Sequence, residues 1–314
     1  MRVLGILCIL LLVPYSVSSW GFYGHRKINR LAVFTLPSEL MGFYKEHVEF
    51  ITEHAVDPDK RRYVLEDEAP RHYIDIDHYG DTPFEAVPWS WWDAVEKYTE
   101  DTLMQYGIVP WHCYRTYRSL VNAFTDGNWT YALKLSADLG HYVADAHVPL
   151  HTTENYNGQL TGQHGIHAFW ESRLPELFAE EYDYFVGGAV YLPNPLDAIW
   201  DAIEASHAAV DSVLRFEAEL TSSFPSDNKY AFEQRGSQTV KTYAADFSMA
   251  YHQKLNGMVE RRMRKAILMV GSLWYSAWLE AGKPDWRLEE PLLIDTISKV
   301  TEGAVFQPQR SHDH

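Results

Sequence analysis

Two histidine–carboxylate pairs at helical spacing constrain this chain more than any other feature. His141 and Asp145 are four residues apart in HYVADAHVPLH, and His167 and Glu171 are four apart in HGIHAFWE. A step of four residues turns a helix by about 400°, so each pair projects from one helix face. Two such helices packed side by side form a cage of nitrogen and oxygen donors suited to zinc. The sequence therefore predicts a metal site between two helices.

The residues between the pairs extend this prediction. Pro149 indicates the end of the first helix and places His151 in the exit turn, where it can bend back toward the cage. His147 is six positions from His141 and points elsewhere, so we expect a structural role for it. The alternative is a set of ordinary surface and core histidines without metal. Two pairs so close in sequence, with His151 between them, favour metal binding.

Helical spacing of apolar residues dominates the rest of the chain, and strand-length runs of β-branched residues are scarce. We predict one all-α domain over residues 20–285, with long functional loops at Asp57–Gly80 and Thr152–Gly165, and a tail over residues 286–314. The predicted helical segments are Lys27–Phe34, Ser38–His54, Trp91–Tyr106, Trp111–Phe124, Thr130–Ala146, His167–Phe178, Ala198–Leu220 and Thr239–Glu280.

Residues 1–19 are typical of a secretory signal. A basic start at Arg2 precedes an apolar run over residues 3–13 that is too short to span a bilayer, and small residues follow. Cleavage after Ser19 would make Trp20 the first residue of an exported protein, periplasmic or extracellular; an uncleaved anchor is the alternative. Only Cys113 would remain, so bound metal is one available source of robustness.

Two further places offer ligands. The stretch DPDKRRYVLEDEAPRHYID contains Asp57 and His72 on a loop that could fold over the cage. A new terminus at Trp20 would carry an amine with a pKa of about 7.7–8.0, which releases its proton far more readily than lysine. That nitrogen and the carbonyl oxygen of Trp20 can chelate a metal, and His25 could complete the site.

Together these residues resemble the zinc-dependent phospholipase C / S1-P1 nuclease superfamily, in the same order from Trp20 to Glu171. The resemblance implies an all-α fold with three zinc ions in a cleft. It assigns the first zinc to Asp57, His72, His141 and Asp145, the second to His151, His167 and Glu171, and the third to Trp20, His25 and a bridging Asp145.

Such a centre suits phosphodiester cleavage, because zinc lowers the pKa of bound water toward about 7 and neutralises phosphoryl oxygens. The resemblance suggests that Asp57 orients or deprotonates the attacking water. In the stretch HYID, it suggests that Tyr73 stacks on a nucleobase and Asp75 hydrogen-bonds the base edge, as in single-strand nucleases. Simple packing beside the metal site is the alternative for Tyr73. We expect a secreted nuclease acting on single-stranded nucleic acid.

Two alternatives stay open. The short loop before His167 and the carboxylate Glu171 resemble the phospholipases, although Pro58 and Ala69 stand where choline-binding aromatics would be expected. A non-catalytic zinc-binding protein is the other alternative. The formal net charge of −16 argues against a broad basic surface for nucleic acid. The sequence implies no stable protein partner.

Overall fold

Helices form almost all of the regular structure in the computed structural model, which describes residues 21–235 and 238–288. In chain order the helices are α1 (Gly21–Ala32), α2 (Ser38–Glu46), α3 (Val48–Glu53), α4 (Asp57–Arg61), α5 (Pro83–Ala86), α6 (Trp91–Tyr98), α7 (Glu100–Tyr106), α8 (Val109–Thr125), α9 (Trp129–Ala146), α10 (Ile166–Ala168), α11 (Leu174–Phe178), α12 (Pro195–His207), α13 (Val210–Ser223), α14 (Ala245–Lys254) and α15 (Met258–Glu280). The predicted all-α class is confirmed.

The predicted loop Asp57–Gly80 contains the short helix α4 and two 3-10 turns, Glu66–His72 and Ile76–Tyr79. Further 3-10 turns cover Val33–Thr35, His54–Val56, Pro149–Thr152, Ala179–Glu181, Ser226–Asn228 and Trp286–Leu288. A π-helical turn covers Phe169–Arg173, between α10 and α11. None of the helices in the described part of the chain has the length and apolarity needed to cross a membrane. The predicted signal over residues 1–19, Trp20 and the tail beyond residue 288 lie outside the described residues.

The sequence prediction misses a small β-hairpin. Strands β1 (Tyr230–Arg235) and β2 (Gln238–Tyr243) pair in antiparallel fashion, with Tyr230 opposite Tyr243. The predicted helix from Thr239 therefore begins later, as α14 and α15. In β2, the sequence QTVKTY is rich in β-branched and aromatic residues, a composition that favours a strand.

Helix α9 lies at the centre of the molecule, packed by α8, α15 and α1. Fifteen of its eighteen residues are buried, including the polar Ser136, Asp138, His141 and Asp145. Apolar side chains on all sides of a helix indicate a core helix, and here polar groups share that environment. The fold thus places carboxylate and imidazole groups where water does not solvate them.

Gly140 allows α1 to approach α9 closely. A Cβ atom built on Gly140 would lie 2.0 Å from Asn29 Oδ1, so any larger residue would push the helices apart. Asn29 Nδ2 donates to the carbonyl oxygen of Ala137 at 3.0 Å and fixes the contact. As a consequence, the His25 ring of α1 stacks on the His141 ring of α9, with centroids 3.9 Å apart.

Candidate metal centre

His141 and Asp145 project from one face of α9, as their spacing predicts. His141 Nδ1 donates to the carbonyl oxygen of Ala55 at 2.8 Å, which leaves the Nε2 lone pair facing Asp145 Oδ2 at 3.2 Å. A histidine whose second ring nitrogen is held by a carbonyl is the usual arrangement of a metal ligand, because the bond fixes both tautomer and orientation.

Asp59 and His72 complete a group with His141. The turn Glu66–His72 carries His72, whose Nδ1 lies 3.0 Å from His141 Nε2 and 2.8 Å from Asp145 Oδ2. Asp59 Oδ1, from α4, lies 3.8 Å from His141 Nε2 and 4.0 Å from His72 Nδ1. All of these side chains are buried. Nitrogen and oxygen donors thus converge on one point from α4, α9 and the intervening turn.

His25 joins His141 and Asp145 in a neighbouring group. Its Nε2 lies 3.4 Å from Asp145 Oδ1, the oxygen that faces away from His72. Asp145 therefore offers one oxygen to each of two groups, the bridging position that the sequence resemblance assigns to it. Trp20, which that assignment also places here, lies outside the described residues and remains a prediction.

The third group consists of His151, His167 and Glu171. The turn after Pro149 brings His151 inward, and its Nδ1 donates to the carbonyl oxygen of His72 at 2.6 Å. His151 Nε2 lies 3.2 Å from both His167 Nε2 and Glu171 Oε2. His167 Nε2 lies 3.1 Å from Glu171 Oε2. The π-helical turn carries Glu171, and such turns are frequent at functional sites.

The donor separations in the third group fit a tetrahedral zinc site. A tetrahedron with bonds of about 2.0–2.1 Å has edges of about 3.3–3.4 Å. The group of His151, His167 and Glu171 has edges of 3.1, 3.2 and 3.2 Å. Glu171 Oε1 and His72 Nε2 are buried without a hydrogen-bond partner among the described residues. Imidazole and carboxylate donors at these separations, in a buried pocket, could hold a metal ion such as zinc.

Burial and neighbouring charges set the protonation of the donors. Burial opposes ionisation of Asp145, but His141 and His151 hold the pKa of its carboxyl well below the usual value. Burial opposes protonation of His151, but Asp145 and Glu171 raise its pKa to about 9. Burial lowers the pKa of His72 to about 3. The buried carboxylates therefore favour a positive charge in this pocket, which a protonated His151 or a bound metal cation can supply.

Asp57 does not join these groups. Its carboxylate accepts from His54 Nδ1 at 2.5 Å and from Lys60 Nζ at 2.8 Å, and it is partly exposed. These partners lower its pKa against the effect of burial. Asp59, two residues later, is the carboxylate of α4 that lies near His72 and His141. Burial raises the pKa of Asp59 to about 6, although His141 opposes this.

Glu68 is a buried carboxylate that the sequence does not single out. It accepts a short hydrogen bond from Tyr142 and one of 2.7 Å from Arg71. Its Oε1 lies 3.8 Å from His72 Nε2, so the carboxylate and its two partners support the outer edge of the His72 ring. A Glu four residues before His72 on one turn is the only signal in the sequence, and it does not identify this role.

Tyr73 and Asp75 both lie beside the donors, since Ile74 N donates to the carbonyl oxygen of His151 at 2.9 Å. The Tyr73 hydroxyl donates to the carbonyl oxygen of Gln105 at 3.1 Å, and its ring is half-buried. Burial, Asp77 and Glu154 raise the pKa of the Asp75 carboxyl to about 7. This side of the centre is acidic and aromatic.

No protein-family model matches the chain, and no curated protein matches it significantly. Among solved structures, it is similar to alpha-toxin of Clostridium perfringens from an avian strain, with 11% sequence identity over 86% of this chain and a TM-score of 0.46. The chain spans 65% of the length of that structure. A similarity this low does not identify the function.

Proposed function

We propose that this protein is a zinc-dependent phosphodiester hydrolase. The observation that carries the proposal is the buried cluster of three donor groups, in which Asp145 and His141 each lie within reach of two groups. Adjacent divalent cations suit phosphoryl chemistry, because together they can clamp the attacking and leaving oxygens. The predicted number of three ions rests on the sequence resemblance and on the existence of these three groups.

The residues of the chain would hold the metal ions and orient the attacking water. His141 and His151 would present Nε2 to bound metal, because carbonyl oxygens hold their Nδ1 protons. Bound zinc supplies Lewis acidity toward water and toward phosphoryl oxygens. Asp59 stands at the edge of the cluster, where one carboxylate oxygen can bind metal and the other can accept the proton of the attacking water. This is the role that the sequence assigns to Asp57.

Exposed apolar side chains on the segments that lead to His72 and His167 favour a phospholipid substrate. The Tyr-Val-Leu stretch at 63–65 precedes His72 in the chain, and Val64 is 78% exposed. Leu160 is 72% exposed on the loop before His167, and the ring of Tyr156 on the same loop lies 5.9 Å from the His167 ring. Exposed apolar residues of this kind mark sites of contact with a membrane or another protein.

The acidic margin favours a cationic head group over a polyanion. Asp77 accepts from Thr153 Oγ1 and from the backbone N–H of Glu154, which gathers Asp75, Asp77 and Glu154 on one side of the centre. Like charges would repel a nucleic-acid backbone, whereas a choline or ethanolamine group would be attracted. We therefore place phospholipase C activity on zwitterionic phospholipid ahead of the nuclease that the sequence favours. Tyr73 is half-exposed beside His72, where it could stack on a nucleobase, so a nuclease is the second candidate.

The test compares substrates with one protein. Zinc-loaded protein beginning at Trp20 is assayed on an aryl phosphodiester, on phosphatidylcholine and phosphatidylethanolamine vesicles, and on single-stranded DNA. We expect hydrolysis of the aryl ester and of the vesicles. Glu171→Gln should abolish both activities, whereas Glu176→Gln, on the exposed surface five residues later, should leave them unchanged.

Each other outcome has a definite meaning. Cleavage of DNA without release of phospholipid head groups would select the nuclease. Zinc binding without hydrolysis of any phosphoester would leave a non-catalytic zinc-binding protein. Leu160→Asp should lower vesicle hydrolysis at least tenfold with little effect on the soluble ester. Equal losses on both substrates would remove the membrane-contact role of this loop.

A further inference from the structure

A groove separate from the metal centre runs between α12 and α15, beside the segment at residues 190–192. Its volume is about 270 Å3. The walls are mainly apolar, from Val190, Leu192, Ala198, Ala202, Leu268 and Met269. An apolar cavity of about 150 Å3 holds a benzene molecule, so this space suits a ligand of roughly ten non-hydrogen atoms.

Arg262 of α15 lines this apolar groove although its side chain is almost fully buried, with 6% exposed. Its Nε donates to the carbonyl oxygen of His147 at 2.8 Å, and its Nη2 donates to the carbonyl oxygen of Ala202 at 3.1 Å and to Ser206 Oγ. Within residues 21–235 and 238–288, the hydrogen bonds of Arg262 involve Nε and Nη2 but not Nη1, and no carboxylate forms an ion pair with the guanidinium. The burial lowers the pKa of Arg262 to about 10.

The neutral acceptors explain only part of this arrangement. Carbonyl oxygens at the end of α9 and in α12 satisfy Nε and Nη2, and they favour a cation through their dipoles. They do not balance a full charge, and buried charges are ordinarily paired. Lys265 adds a second positive charge at the exposed edge of the groove, against the single acid Asp201. The groove therefore combines apolar walls with a net positive charge and open guanidinium donors.

We propose that this groove binds a small monocarboxylate with an apolar body of about five to seven carbons. Nε and Nη2 already donate to protein oxygens, so Nη1 would bind a carboxylate oxygen through a charge-assisted hydrogen bond. The apolar walls would cover the hydrocarbon part of the ligand. A doubly charged, strongly hydrated phosphate would gain little from those walls. The proposal does not depend on hydrolytic activity at the metal centre.

Binding of hexanoate to the zinc-loaded protein tests the site, with titration calorimetry as the measurement. Inorganic phosphate is kept in excess to occupy the metal centre, and 1-hexanol serves as the uncharged probe. We expect one hexanoate per chain and at least tenfold weaker binding of hexanol. Arg262→Gln should weaken hexanoate binding at least tenfold. Arg261→Gln, at the exposed neighbouring arginine that bonds the Asn256 carbonyl oxygen, should have no effect.

A second variant keeps the test decisive if Arg262→Gln fails to fold. Ala198→Leu adds bulk to the groove wall without touching the hydrogen bonds of Arg262, and it should block hexanoate while the zinc content stays constant. The proposal is overturned if hexanoate does not bind, if hexanol binds as well, or if phosphate displaces it. It is also overturned if Ala198→Leu binds hexanoate like the wild type, since the carboxylate would then sit elsewhere.

Discussion

Asp59→Asn should remove about one zinc ion per chain, whereas Asp57→Asn should leave the zinc content unchanged. Asp59 Oδ1 lies 3.8 Å from His141 Nε2 and 4.0 Å from His72 Nδ1, so it closes one donor group. Loss of a residue that merely supports a ligand costs 10–100-fold in metal affinity, and loss of a ligand costs at least the upper end of that range. A factor of 100 corresponds to about 2.7 kcal/mol.

Asp57→Asn is the matched control, because it makes the same chemical change two residues away. Its partners are His54 and Lys60, and the side chain is 23% exposed. Partly exposed pairs of this kind contribute up to about 1 kcal/mol, so the melting temperature should fall by only about 2–4 °C. Zinc per chain is measured after dialysis against a competing chelator of known affinity, and hydrolysis of an aryl phosphodiester is measured beside it.

The reverse result would refute the assignment. If Asp57→Asn lost the ion and Asp59→Asn kept it, the carboxylate at this position would be the one that the sequence suggests. Equal zinc loss in both variants would indicate a general disturbance of α4, and far-UV circular dichroism of the helices would reveal it. Retained zinc with lost activity in Asp59→Asn would restrict Asp59 to proton transfer.

Three further predictions concern metal and acid. Chelation should lower the melting temperature markedly, because an ion present at 1,000 times its Kd stabilises the fold by about 4 kcal/mol; an unchanged melting curve would contradict the site. One extra residue before Trp20 should lower the zinc content measured by mass spectrometry, since an amide nitrogen is a poor zinc donor, and an unchanged content would remove Trp20 from the site. His112 is kept neutral, since its Nδ1 accepts from Arg115 at 2.9 Å, and burial lowers its pKa well below the usual value. The stability that His112 contributes is therefore complete above about pH 6.5 and falls by up to about 1.4 kcal/mol per pH unit below it; His112→Gln should remove that part of the acid sensitivity in urea unfolding, and equal pH slopes would contradict this.

Helical spacing made most of the donor set predictable. His141 with Asp145 and His167 with Glu171 are local pairs, and a local pair needs only the 3.6-residue period to bring its side chains together. His151 follows from the stop signal of Pro149. In each case, the information lies within a few residues of the pair.

Asp59 could not be chosen over Asp57 from the sequence for a geometric reason. Both residues lie in α4, and a two-residue step turns a helix by about 200°, so their side chains point to opposite faces. Which face meets α9 depends on how the preceding turn His54–Val56 docks, which is a tertiary contact. The hairpin is a different case, because β2 is only six residues long and adjoins the strong apolar periodicity of α15, which favours a helix.

A positive charge at the metal centre would explain how an acidic protein binds an anionic phosphodiester. Formal net charge is −16, which by itself would repel a phosphodiester. The three donor groups contain three carboxylates, Asp59, Asp145 and Glu171, against imidazoles that carry no charge once they bind metal. Three divalent cations would then leave the cluster with a local charge of about +3. Fields in a buried site are screened less than those of exposed surface charges, so the local excess decides where the phosphate binds. The acidic residues Asp75 and Asp77 at the margin then act on the other end of the substrate, where a cationic head group fits and a second phosphate of a nucleic acid does not.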